Sequence, residues 1–319
     1  MRFSIVPANT NFDFVGRRRF AYPLSVLLIF LSLGAFFVQG LNFGIDFRGG
    51  ILIEIKTDGP ANVAELRNTV GGLNLGEVQV QEFGAADDVL IRVQQQDGAE
   101  AEQLQAINII KDALGDTVVE YRRTEFVGPT VGAELISSAI WAVLLAIGAI
   151  LVYIWFRFEW QFGVGAVIAL THDVLTTIGL FAITQLEFNL ATVAAILTIA
   201  GYSINDTVVI YDRVREELRR YKKLDMHALL NLAANRTLSR TFMTSVTTLI
   251  ALVALAVFGG TIIRDFALAM IWGVVIGTYS SVFVAVPVLL ALNLSRESLS
   301  AGLDEGGEGD GTTDAAPGQ

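Results

Sequence analysis

The 319-residue chain has no cysteine, so disulfides and thiolate metal sites are excluded. Its two histidines, His172 and His227, lie far apart, and no other metal-ligand spacing stands out. No phosphate loop, dinucleotide turn or nucleophile elbow occurs. No metal, no cofactor, no nucleic-acid partner and no enzymatic activity are therefore expected. Charge is also scarce. Only 17% of residues are Asp, Glu, Lys or Arg, against about 25% in a soluble domain. The deficit is concentrated in long uncharged runs, as a bilayer requires.

Six such runs read as transmembrane helices: residues 20–41, 135–156, 162–186, 188–211, 241–263 and 266–294. The first follows Arg17, Arg18 and Arg19. It is too long and lacks the small-residue cleavage site of a signal peptide, so it reads as an uncleaved anchor. Residues 1–19 form an amino-terminal segment. Residues 42–132 are polar and mixed, with 15 acidic and 7 basic residues. The tail, 295–319, is rich in Gly, Asp and Glu and reads as disordered. The net charge of −10 thus describes two appendages, while the segments flanking the spans are basic.

That bias gives a direction. The amino-terminal segment, the turn at Arg157, the arginine-rich stretch 212–240 and Arg296 share one side if there are six spans. Both termini are then expected in the cytoplasm of a multi-pass inner-membrane protein, with the inserted domain extracytoplasmic. Val214, Leu218, Leu224, Leu229, Leu230 and Leu232 punctuate 212–240, which reads as an amphipathic loop at the membrane surface or as a plain solvated one.

Within 42–132 the expected order is a strand over 51–56, a helix over 60–70 with Pro60 in its first turn, and strands over 77–83 and 89–94. A helix over 100–114 follows, with Leu104, Ile107, Ile110 and Leu114 on one face, and then a strand over 117–127. This βαββαβ order is the ferredoxin-like, split-βαβ pattern. It contains no charge constellation that reads as catalytic.

Charged residues inside spans cost about 2.5 kcal/mol or more each on insertion scales. His172 and Asp173 lie near mid-depth of the third span. Asp206 lies in the cytoplasmic part of the fourth, and Arg240 opens the fifth. A carboxylate alternately paired with Arg or protonated is the minimal unit of a proton relay, and a proton crossing 100 mV releases about 2.3 kcal/mol. Blander readings stay open. Asp206 can be a headgroup-level boundary charge, Arg240 an ordinary positive-inside residue, and His172–Asp173 a helix-packing pair. Gly201, Gly273 and Gly277 are candidate helix-packing positions, within this chain or against a partner.

Four motifs carry a resemblance. Asn42–Gly50 reads NFGIDFRGG, Thr171–Val174 reads THDV, Gly201–Glu216 reads GYSINDTVVIYDRVRE, and Thr237–Thr241 reads TLSRT. Together they resemble the SecF branch of the SecD/SecF protein-export family over about residues 10–295. The resemblance implies a heterodimer with SecD in a twelve-span assembly similar to resistance-nodulation-division transporters. It also implies work with the SecYEG channel, with YidC and YajC as further partners, on an exported polypeptide in a lipid membrane. The energy source would be the proton-motive force, with Asp206 and Arg240 similar to the family's coupling pair. In NFGIDFRGG, Gly44, Gly49 and Gly50 permit tight turns where the chain enters the domain, and Asp46 and Arg48 are placed to brace it. A hinge is favoured there over a binding site. Half of a proton-driven small-molecule or lipid exporter, or a passive scaffold for SecD, are the alternatives.

Overall fold

The computed structural model describes residues 10–96, 98 and 100–294; the acidic tail lies outside the described residues. Six helical segments are long and apolar enough to cross a membrane. They are α1 (Arg18–Gln39), α5 (Pro129–Arg157), α6 (Trp160–Thr184), α7 (Leu190–Arg220), α8 (Met226–Phe258) and the succession α9 (Gly260–Ser280), a π segment (Ser281–Ala285) and α10 (Val286–Ala291). The π segment precedes Pro287, which has no N–H to donate to the carbonyl four residues back, so the ladder shifts register there.

The boundary between the last two spans differs from the reading above. Gly259 alone separates α8 from α9, so residues 260–263 belong to the helix of the sixth segment and not to that of the fifth. The stretch 212–240 is likewise no surface loop. It consists of the ends of α7 and α8, joined by a turn at 221–225. Val214, Leu218, Leu229 and Leu230 are buried against Phe14 and Val15 of the amino-terminal segment. Their apolar face therefore packs on protein, not on lipid. Two asparagines one turn apart on α8 hold that segment: Val15 N–H donates to Asn231 Oδ1 at 3.0 Å, and Phe12 N–H to Asn235 Oδ1 at 2.9 Å.

Between α1 and α5 the chain forms β1 (Asn42–Phe43), α2 (Ile45–Arg48), β2 (Gly50–Thr57), α3 (Val63–Gly71), β3 (Val78–Phe83), β4 (Ala85–Val93), α4 (Glu100–Leu114) and β5 (Val118–Val127). The four longer strands make a sheet in the order β3-β4-β2-β5, antiparallel throughout. β2 is central and buried on both faces. Ile51, Ile53 and Ile55 meet Leu66 and Val70 of α3 and Ile107, Ile110 and Leu114 of α4. Leu52, on the other face, meets Ile45 and Leu90.

Two local expectations change. α3 starts at Val63, because Asn62 caps it by accepting the Glu65 N–H; Pro60 lies before the helix. Leu104 is 47% exposed. The buried stripe of α4 runs instead through Gln103, Ala106, Ile107, Ile110 and Leu114. Gln103 is satisfied by exchanging hydrogen bonds with the Gln96 backbone.

Candidate functional site

The four residues expected to form a relay lie on α6 (His172, Asp173), α7 (Asp206) and α8 (Arg240). Asp173 on α6 is fully buried, and its neighbour His172 is 1% exposed. His172 Nδ1 lies 2.9 Å from Asp173 Oδ1. The other carboxylate oxygen, Oδ2, accepts two hydroxyls from two other helices: Ser203 of α7 at 2.5 Å and Ser280 of α9 at 2.7 Å. Thr176 and Thr177 donate to the Asp173 carbonyl. One turn along α7, Thr207 Oγ1 lies 2.9 Å from Ser281 Oγ in the π segment. Asp173 is therefore the centre of a polar lock among three spans. With Nδ1 engaged by Asp173, His172 Nε2 is buried without a partner among the described residues.

Asp206 stands on α7 between Ser203 and Thr207 in sequence. It is 3% exposed, and its Oδ2 has no hydrogen-bond partner among the described residues. The Arg240 guanidinium, on α8, is the charge whose field reaches it. The two form no ion pair among the described residues, and Arg240 is exposed. Asp206 and Arg240 thus share a neighbourhood without contact. No salt bridge holds the Asp206 carboxylate among the described residues. Sequence spacing places both at one depth; it does not reveal this separation.

The glycines divide by role. A Cβ on Gly273 would stand 2.2 Å from Ile199 Cγ1, and one on Gly277 3.1 Å from Ser203 Cβ. Both let α9 approach α7 inside this chain. Gly201 meets nothing within 4 Å. It belongs to an exposed stripe of α7 with Ala194, Thr198 and Asn205.

NFGIDFRGG forms a bracket between the soluble domain and the bundle. β1 pairs in parallel with β6 (Glu187–Phe188), in the turn between α6 and α7. Gly44 N–H donates to the Phe188 carbonyl at 2.9 Å. Asp46 Oδ2 accepts the Leu190 N–H at 2.9 Å, at the first residue of α7. Gly49 and Gly50 have φ of 70° and 109°, and a Cβ on Gly50 would stand 2.6 Å from the Val93 carbonyl oxygen. Arg48 is exposed and forms no ion pair among the described residues; it lines a cleft of about 700 Å³ with Gly49, Arg92, Gln94 and Gln96. A second tie joins Arg92 of β4 to Glu187. Burial pushes the Glu187 carboxyl above its ordinary range, and Arg92 pulls it partly back.

Comparison with known proteins gives the same direction throughout. The profile described as protein export membrane protein SecD/SecF, C-terminal, matches residues 108–295, and the SecD/SecF GG motif matches 34–61. The chain is 51% identical over 297 residues to the protein translocase subunit SecF of Magnetococcus marinus, covering 92% of this chain and 96% of that one. To the subunit of the same name from Rickettsia bellii it is 45% identical over 290 residues, covering 89% and 94%. Among solved structures it is similar to SecDF, a translocon-associated membrane protein from Thermus thermophilus, with TM-score 0.82 and 35% identity. That likeness covers 90% of this chain but 39% of the other, so this chain spans well under half of that longer protein.

Proposed function

Because the chain belongs to the SecD/SecF family of protein-export membrane proteins, we propose that it is the six-span half of a SecD–SecF unit that uses the proton-motive force to promote late steps of polypeptide export. It is a multi-pass membrane protein whose relatives are named protein translocase subunits. Asp206 is the proton-carrying group and Arg240 its intermittent counter-charge. Protonation frees Arg240 from the field of Asp206, and deprotonation draws it inward. His172 and Asp173, the polar anchor of α6, belong to the same relay.

The work is done at the other end. α7 carries Asp206, and its first residue is tied to the soluble domain through Asp46. A shift of α7 is therefore transmitted to the NFGIDFRGG bracket. In this reading the domain is ferredoxin-like and extracytoplasmic, and both termini are cytoplasmic. SecD packs along the exposed stripe Ala194, Thr198, Gly201 and Asn205, where small residues admit a close helix and Asn205 supplies a hydrogen-bonding group. SecYEG, YidC and YajC are the expected neighbours of that unit, and the exported polypeptide its substrate.

The observation that carries this reading is the buried Asp206 carboxylate held near Arg240 without contact. The test is export by the reconstituted SecD–SecF–SecYEG system with and without an imposed proton gradient. Asp206→Asn is expected to abolish the gradient-dependent part and leave the remainder. Export that still responds fully to the gradient in Asp206→Asn would overturn the coupling role. Alanine at Asp173, Asp206 and Arg240 without effect on export would leave only a scaffold.

A further inference from the structure

The end of the bundle remote from the soluble domain carries a cleft that none of the relay residues uses. It measures about 490 Å³ and is lined by Arg157, Asp212, Arg215, Glu216, Arg219 and Arg220. Four guanidinium groups thus converge from the end of α5 and the last turns of α7, against two carboxylates. Both carboxylates are already engaged: Asp212 by Arg157 at 2.8 Å, and Glu216 by Arg213, outside the cleft, at 2.6 Å.

Two of the arginines, Arg157 and Arg215, are positioned by the fold. The Arg215 guanidinium donates to the Arg157 carbonyl at 3.2 Å and approaches Glu159 at 3.3 Å. Arg157 and Arg215 both lie over the Phe158 ring, at 5.0 and 5.5 Å from its centroid. Arg215 Nε is buried with no partner among the described residues. Arg219 and Arg220 are exposed, and neither forms an ion pair among the described residues. Such a set leaves donor capacity unspent, and the planar guanidinium matches a phosphate bidentately.

The surroundings say which phosphate. Trp155 and Phe156, the last residues of α5 before Arg157, are 81% and 86% exposed, and Trp160 at the start of α6 is 61% exposed. Exposed tryptophans beside an arginine cluster at a span end mark the membrane–water interface. A basic cleft at that level, lined by the arginine that directly follows these exposed rings in the chain, suits a headgroup whose tails remain in the bilayer. Ordinary positive-inside charge needs no convergence and no fixed geometry; here four guanidinium groups line one cleft, and two of them are held in place.

We propose that this cleft binds the phosphate of an anionic phospholipid, with its acyl chains against Trp155 and Phe156. It does not depend on the export reading. The test is native mass spectrometry of the full chain released from bilayers containing phosphatidylglycerol or only phosphatidylcholine. One phosphatidylglycerol is expected to be retained and no phosphatidylcholine. Arg219→Gln with Arg220→Gln should weaken retention by about tenfold or more, whereas Arg17→Gln with Arg19→Gln, an equal charge loss at the first span, should leave it unchanged. Arg215→Lys, which keeps the charge but not the fork, should weaken it as well. Equal loss in both double variants would reduce the site to diffuse surface charge and overturn the proposal. Displacement of the lipid by millimolar inorganic phosphate would assign the cleft to a free anion and overturn it too.

Discussion

Asp46 accepts a hydrogen bond from the backbone N–H of Leu190, 144 residues further along, at 2.9 Å. The first residue of α7 cannot bond within its own helix, so a carboxylate from the first interspan segment supplies the partner and lies on the positive end of the helix dipole. Asn189 completes the cap by accepting the Thr192 N–H. The helix that carries Asp206 therefore begins on a residue of the soluble-domain junction.

Asp46→Ala is expected to cost about 1 kcal/mol of local stability at the start of α7. Hydrogen exchange over residues 185–195 should then accelerate by several-fold, while the sheet β3-β4-β2-β5 keeps its protection. Asp46→Asn, which retains an acceptor, should lie between. Unchanged exchange at Leu190 in the alanine variant would show that the bond carries nothing.

The lock around Asp173 gives a second prediction. Hydrogen bonds between membrane helices average about 0.6 kcal/mol and reach about 1.7; those accepted by a carboxylate belong at the upper end. Ser203→Ala and Ser280→Ala should each destabilise by about 1 to 2 kcal/mol in thermal or detergent unfolding. Both hydroxyls share Oδ2, so the double variant should depart from additivity. Strict additivity would argue that the two bonds act independently of the carboxylate.

Much of this architecture was legible in the chain. Six long apolar runs, two of them interrupted by a carboxylate, are what a bilayer selects, and Ile51–Ile55 announces a strand by composition. The remainder was hidden for identifiable reasons. β1 and β6 contain two residues each and lie over 140 positions apart, so no periodicity marks them. The apolar residues of 212–240 correctly declare one buried face, but amphipathicity does not say whether lipid or Phe14 receives it. Leu104 and Gln103 are neighbours on one helix, and only tertiary packing decides which turns inward. Asp206 and Arg240 are conspicuous because charge within spans is costly, yet their separation depends on side-chain placement. The Asn231 and Asn235 clamp on the amino-terminal segment had no signal beyond two asparagines one turn apart.

The glycines separate internal packing from partner packing. Gly273→Val should destabilise the chain itself by about 1 to 3 kcal/mol, since its Cβ would collide with the branched base of Ile199. Gly201→Leu should leave the isolated chain as stable as before, because open space surrounds that Cα. If SecD packs on the exposed stripe of α7, the same variant should lose co-purification with SecD. A Gly201→Leu chain that retains SecD in full would move the interface elsewhere.

Glu187 sets the pH response of the junction. Burial lifts its carboxyl above the ordinary value near 4.5, while Arg92 lowers it and Asp265 and Asp46 raise it. A raised folded-state value means that the folded chain keeps this proton when the unfolded chain has lost it. The resulting stabilisation is fully present below about pH 4.5 and is lost as pH rises through the folded-state value. The thermal midpoint should therefore fall across that window by more in the native chain than in Glu187→Gln, where no proton is exchanged at this position. Arg92→Gln should steepen the fall, because it removes the nearest compensating charge and raises the carboxyl further. A Glu187→Gln profile parallel to that of the native chain would show that Glu187 does not titrate in this window, and the junction would then owe its cohesion to the β1–β6 pairing and the Asp46 cap alone.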